Sequence, residues 1–184
     1  MSEVADRYRR VAGRFTERVR EVSAAGWERP APCEGWVARD VVRHLVEWFP
    51  PFLQSGAGIE LPTGPPVDDD PMGAWTTMSD AVQALLDEPD VSTRQFSHPQ
   101  AGDHPLDEAI DMFFLGDVLV HTWDLARAVG LDETLDPEVV ASMLSGMEPM
   151  DEMLRASGHY GARVEVPDDA DTQTRLIAFT GRHP

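Results

Sequence analysis

Residues 113–123 read FFLGDVLVHTW, an apolar run that two ionisable side chains, Asp117 and His121, interrupt. Four positions separate them, so on a helix they lie one above the other on the same face. An isolated carboxylate on a buried face costs on the order of several kcal/mol unless a metal ion or a cation compensates it. The run therefore predicts a buried helix that carries either half of a metal site or an ion pair.

Apolar residues spaced three or four apart extend this helix from Pro105 to about Val129, where Gly130 is the expected cap. The same spacing predicts helices over residues 3–24, from residue 37 onward, 71–88 and 136–158, and a last helix over 174–179. Pro50 and Pro51 are expected to bend or end the second helix.

The remaining segments are expected to be irregular, apart from a short strand at residues 163–166. Residues 55–73 form a long Gly- and Pro-rich loop, which is either the wall of a site or a disordered crossover. Residues 89–104 are also expected to be irregular. The chain is thus predicted to be an all-α four-helix bundle over residues 1–158, with a C-terminal appendage over 159–184 that packs on it.

The second helix contains His44 on its apolar side, among Val41, Leu45 and Trp48. One histidine facing an Asp/His pair on another helix would supply three metal ligands and leave room for water, as in catalytic zinc sites. The alternative is an ion pair between Asp117 and His121, with His44 bonded elsewhere. The residue pattern leaves both interpretations open.

Composition restricts the partners. The formal charge of −18 opposes nucleic acids and anionic membranes. The charged N-terminus and the lack of a long apolar run predict a cytoplasmic protein without a membrane span. The single cysteine, Cys33, cannot form an internal disulfide and is expected to be structural.

Four segments carry a resemblance to a known family: PCEGW at residues 32–36, VVRHLV at 41–46, GDVLVHTWDLA at 116–126 and TGRHP at 180–184. With these segments the chain resembles the small actinobacterial members of the DinB-like, mycothiol-dependent maleylpyruvate isomerase superfamily. The resemblance implies a four-helix fold and a metal held by His44, Asp117 and His121. It also implies zinc, or alternatively nickel, as the ion.

The same resemblance implies a low-molecular-weight thiol, such as mycothiol, as cofactor or co-substrate. The expected activity is a thiol transfer or an isomerisation of a small electrophile, in which a bound metal lowers the pKa of the thiol. Asp117 stands where the known isomerase has Glu, so the reaction itself stays open. A non-enzymatic metal-binding or partner-binding module, and a bundle with an empty site, are the alternatives. A homodimer is also compatible with the sequence.

Several other residues have two interpretations. Arg43 is either a contact for the carboxylate of a thiol cofactor or a surface arginine. Asp124 either orients His121 or pairs with Arg127 or Arg155, and Asp40 either orients His44 or favours its helix N-terminus. Core packing is preferred over pocket lining for Trp36, Trp48 and Trp123, and four histidines are expected to be exposed: His98, His104, His159 and His183.

Overall fold

A computed structural model describes residues 2–156, 158 and 160–184 of the chain. The chain is mostly helical, as predicted. The helices are α1 (Glu3–Glu21), α2 (Ala38–Ala57), α3 (Pro71–Leu86), α4 (Leu106–Ala109), α5 (Gly116–Val129), α6 (Pro137–Met147), α7 (Asp151–Ala156) and α8 (Thr172–Phe179), and the strands are β1 (Gln95–His98) and β2 (Gly102–Pro105).

The bundle consists of α1, α2, α3 and α5. Helix α1 packs on α3 and α5, and α2 packs on the same two helices. Tyr8, Val11, Phe15 and Val19 of α1 are all buried, which confirms the predicted apolar face. None of the described helices is long and apolar enough to cross a membrane.

Pro50 and Pro51 were expected to bend or end the second helix, and they do not end it, because α2 continues through both to Ala57. It ends only where Gly58 adopts a left-handed conformation (φ 67°). Phe49 and Leu53 are buried on either side of the prolines. Burial of each is worth about 1.5–3 kcal/mol, which offsets the roughly 3 kcal/mol that an interior proline costs.

The predicted helix over residues 106–129 is confirmed, but its middle is wider than an α-helix. Residues Ile110–Leu115 form a π-helical segment between α4 and α5. Its buried side chains Ile110, Phe114 and Leu115 hold it in the core. Such segments are rare and often lie beside functional sites, and this one ends two residues before Asp117.

Residues 89–104 were expected to be irregular, and this was wrong. β1 and β2 form an antiparallel hairpin in which Phe96 pairs with His104. The hairpin brings His98 to 5.0 Å from the ring of Phe52 and His104 to 5.7 Å from that of Phe113. Both histidines are therefore half-buried rather than exposed.

The C-terminal part follows the prediction at its last helix but differs at the fifth helix and at the strand. The helix predicted over residues 136–158 is divided into α6 and α7 by a 3-10 turn at Glu148–Met150. Residues 163–166 form no strand, although Val164 donates a hydrogen bond to the carbonyl of Ala178. Helix α8 packs on α6. His183 is exposed as expected, whereas His159 lies outside the described residues. The division of the chain at residue 158 stays a prediction.

Candidate metal site

Two helices bring the three predicted ligands together. His44 lies on α2, and Asp117 and His121 lie one turn apart on α5, which packs against α2. One ligand atom from each of the three lies within 4.8 Å of the others. The structure thus places His44 beside the Asp/His pair, on a neighbouring helix.

The carboxylate of Asp117 lies between the two imidazoles. His44 Nε2 is 3.1 Å from Asp117 Oδ2, and His121 Nε2 is 3.3 Å from Asp117 Oδ1. Tetrahedral zinc with bonds of about 2.0–2.1 Å holds its ligand atoms about 3.3 Å apart. The two separations to Asp117 match that spacing and also match hydrogen bonds, and the ligand atoms of the whole set lie within 4.8 Å of one another.

The site is open on one side. His121 is buried, with a side chain 5% exposed, whereas His44 and Asp117 remain 32% and 27% exposed. Trp36 lies over both imidazoles, with ring centroids 5.2 Å from His44 and 5.7 Å from His121. The aromatic ring covers part of the site while His44 and Asp117 stay accessible to solvent.

Each ligand on α5 also has an outer partner. Trp48 Nε1 donates a 2.8 Å hydrogen bond to Asp117 Oδ2. His121 Nδ1 lies 2.8 Å from Oδ2 of Asp124, which is fully buried. Metal-binding histidines and carboxylates usually have such partners, which orient them. Asp117 and His121 therefore have the kind of hydrogen-bonding partners that metal ligands usually have.

The charges of the site shift two pKa values in opposite directions. Burial would raise the pKa of Asp117, but the charge and hydrogen bonds of His121 and His44 outweigh it, so the pKa is lowered. Burial would lower the pKa of His121, but Asp117 and Asp124 outweigh it and raise the pKa to about 9. Without a metal, an ionised Asp117 and a protonated His121 therefore stabilise each other.

A second cluster, formed by Cys33, His121 and Asp124, shares one histidine with the first. Burial and the neighbouring Asp124 raise the pKa of the Cys33 thiol to about 12, so the thiol is neutral. Arg182 binds both oxygens of Asp124, at 2.8 and 2.7 Å. A guanidinium in this position opposes a second cation, and Cys33 fits its predicted structural role.

The structure also shows which groups Asp124 and Asp40 contact. Asp124 orients His121 rather than pairing with Arg127, which binds Glu133 instead. Asp40 accepts a hydrogen bond from the backbone N–H of Val37 at the start of α2.

Arg43 lies one position before His44 and is held by Asp68 at 2.6 Å. Its expected contact with a cofactor carboxylate stays a prediction. Trp123 is buried in the core, as preferred, but Trp36 and Trp48 contact the site.

Two residues near the candidate metal site, Trp48 and Arg182, were not predicted to take part in it. Trp48 was weighed only as a packing or pocket residue, although its position four residues after His44 puts both on one face of α2. Arg182 lies within the TGRHP segment, where no residue pattern predicts a role for it. Its contact with Asp124 joins residues 58 positions apart, and no helical spacing predicts that.

Comparison with known proteins gives a family and two relatives. The family described as mycothiol maleylpyruvate isomerase N-terminal domain matches residues 8–126, which include all three candidate ligands. Two uncharacterized proteins of Mycobacterium tuberculosis, from strains CDC 1551 / Oshkosh and ATCC 25618 / H37Rv, are each 28% identical over 182 residues, covering 95% of this chain and 95% of their own. No solved structure matches the chain.

Proposed function

This chain belongs to the mycothiol maleylpyruvate isomerase N-terminal domain family, and from that premise we propose that it is a metal-dependent enzyme that uses a low-molecular-weight thiol. His44, Asp117 and His121 would hold one divalent ion, with zinc as the first choice. The thiol would react with a small electrophile, by transfer or by cis–trans isomerisation. The observation that carries the proposal is the set of three ligand atoms within 4.8 Å of one another, two of which belong to the partly exposed side chains of His44 and Asp117.

The donor set supports zinc chemistry. Two imidazole nitrogens and one carboxylate oxygen are ligands that zinc accepts, and three protein ligands leave a position free for a small molecule. A metal in such a site lowers the pKa of a bound thiol and so supplies a thiolate at neutral pH. The exposure of His44 and Asp117 would let a thiol reach that position.

The protein's own groups would prepare the site for this role. Trp48 and His44 hold the carboxylate of Asp117 from one side, and His121 holds it from the other. Asp124 keeps the ring of His121 in a fixed orientation. Trp36 packs against both imidazoles, stacked on His121 and tilted toward His44.

The alternative is a non-enzymatic metal-binding module that recognises a small molecule or a protein. The position of Trp36 over both imidazoles favours it, because a covered ion has less room for a substrate. A measurement of catalytic turnover distinguishes the two functions, because only the enzyme would show it.

The test is a rate measurement with zinc-loaded protein. Mycothiol is mixed either with maleylpyruvate or with 1-chloro-2,4-dinitrobenzene, and product formation is followed with and without the protein. We expect the protein to accelerate at least one reaction, and His121→Ala or a chelator to abolish the acceleration. Arg127→Ala is the matched control, because Arg127 lies on α5 but faces Glu133. Zinc-loaded protein that accelerates neither reaction would favour the non-enzymatic module.

A further inference from the structure

Asp124 is a fully buried carboxylate, and two partners compensate it, His121 on the same helix and Arg182 from the C-terminal segment. His121 Nδ1 lies 2.8 Å from its Oδ2. Arg182 forms a two-pronged contact, with Nε 2.8 Å from Oδ1 and Nη2 2.7 Å from Oδ2. A bidentate contact between a guanidinium and a carboxylate fixes the relative orientation of the two groups and also pairs their charges. Arg182 is thus connected to a candidate metal ligand through one intervening side chain.

The backbone after α8 is shaped to bring Arg182 to this position. Gly181 adopts a positive φ of 88°, and a Cβ there would lie 3.1 Å from the Cα of Gly161. Only glycine fits such a turn without strain. Arg182 N then donates to the carbonyl of Ile177, and its side chain is only 16% exposed.

A third segment, the loop before α2, also contacts Asp124 and Arg182. Cys33, in the loop before α2, lies with its Sγ 3.6 Å from Asp124 Oδ2 and 3.5 Å from Arg182 Nη2. The loop before α2, helix α5 and residues 180–184 therefore meet at Asp124. Residues 180–184 lie outside the part of the chain that the family matches.

We propose that Arg182 is a positioning residue of the metal site, and that docking of residues 180–184 and metal binding strengthen each other. The inference rests on the metal site of the proposed function. Arg182 holds Asp124 in place, and Asp124 accepts a hydrogen bond from the Nδ1–H group of His121, which directs the Nε2 lone pair toward the ion. Because coupling between two binding events is reciprocal, a bound ion should in turn hold the docked segment.

The experiment measures zinc affinity by competition with a chromophoric chelator. Loss of a group that contacts a metal ligand directly typically weakens metal binding roughly 10–100-fold, and Arg182 acts one side chain further out. We therefore expect a loss of about 10-fold, the lower end of that range, for Arg182→Ala. Arg182→Lys should lose less, because it keeps the charge although not the bidentate contact. Arg127→Ala, with its arginine paired to Glu133, should bind zinc like the wild type.

A second measurement follows hydrogen exchange of residues 177–184 with and without zinc. Zinc should slow this exchange in the wild type and leave it unchanged in His121→Ala. Circular dichroism checks that each variant folds, and Arg182→Lys carries the affinity test if Arg182→Ala does not.

The outcomes separate the inference from the proposed function. Wild-type zinc affinity in the folded Arg182 variants, or tail exchange that zinc does not affect, overturns the inference. If His121→Ala still loses zinc in that case, the metal site stands. A wild-type protein that does not bind zinc overturns both.

Discussion

His121 is held from two sides, and this decides its response to pH. Its Nε2 faces Asp117 at 3.3 Å and its Nδ1 faces Asp124 at 2.8 Å. In a metal site the same two contacts give a ligand and its outer partner. In the metal-free protein they stabilise an imidazolium in a place where burial alone would oppose it.

The metal-free protein should therefore lose stability as the pH rises from about 6.5 to about 9. The pKa of His121 rises from its ordinary value of 6.5 to about 9 in the folded chain. A raised pKa means that the stabilisation is fully present below pH 6.5 and is lost as the pH passes through the folded value. Urea unfolding of chelator-treated protein at several pH values measures this change.

His121→Gln is the control for that measurement, because glutamine keeps a polar side chain but does not titrate. Its free energy of unfolding should vary less across the same pH window. A wild-type profile as flat as that of the variant would contradict the charge pairing of His121.

At the scale of the element, α2 shows how packing overrides a local preference. Its two prolines lack the N–H groups that would bond to the carbonyls one turn earlier. The helix nevertheless persists, because Phe49 stacks on Phe114 at 3.9 Å and Leu53 is buried one turn further on. The turn containing Trp48 is thereby kept within a continuous helix.

Pro51→Ala should therefore stabilise the protein. Pro51 is exposed, so its ring contributes little to the core, and alanine restores the missing N–H. An interior proline costs about 3 kcal/mol, and its replacement frees about 1 kcal/mol of chain entropy in the unfolded state. We expect the free energy of unfolding to rise by about 2 kcal/mol in chemical denaturation.

Pro62→Ala is the matched control, since Pro62 is exposed in the loop between α2 and α3. There a proline restricts the unfolded chain without breaking a helix, so its loss should lower stability slightly or not at all. A loss of stability in Pro51→Ala would show that restoring the N–H group at residue 51, and with it the helical hydrogen bond, does not stabilise α2.

At the scale of the whole molecule, sequence reasoning succeeded where the signal is local. The bundle helices follow from apolar spacing, and α3 begins at Pro71, as predicted. The proximity of Asp117 and His121 follows from their separation of four.

The failures concern contacts between distant segments. The hairpin of β1 and β2 depends on packing of Phe96 against Phe52, and the Arg182–Asp124 contact depends on how the chain returns after α8. Neither leaves a periodic pattern in the sequence. The choice between bending and ending at Pro50 and Pro51 was open for the same reason, because Phe49 of α2 stacks on Phe114, which lies far away in the sequence.

The most direct test of the account is the metal content of protein purified without an affinity tag or chelator. Elemental analysis of the wild type, His44→Ala and Asp117→Ala compares the number of ions per chain. Since His44, Asp117 and His121 supply all the proposed protein ligands, we predict about one divalent ion per chain in the wild type and its loss in both variants. A wild type without metal even after reconstitution, or variants that keep one ion per chain, would contradict the metal site.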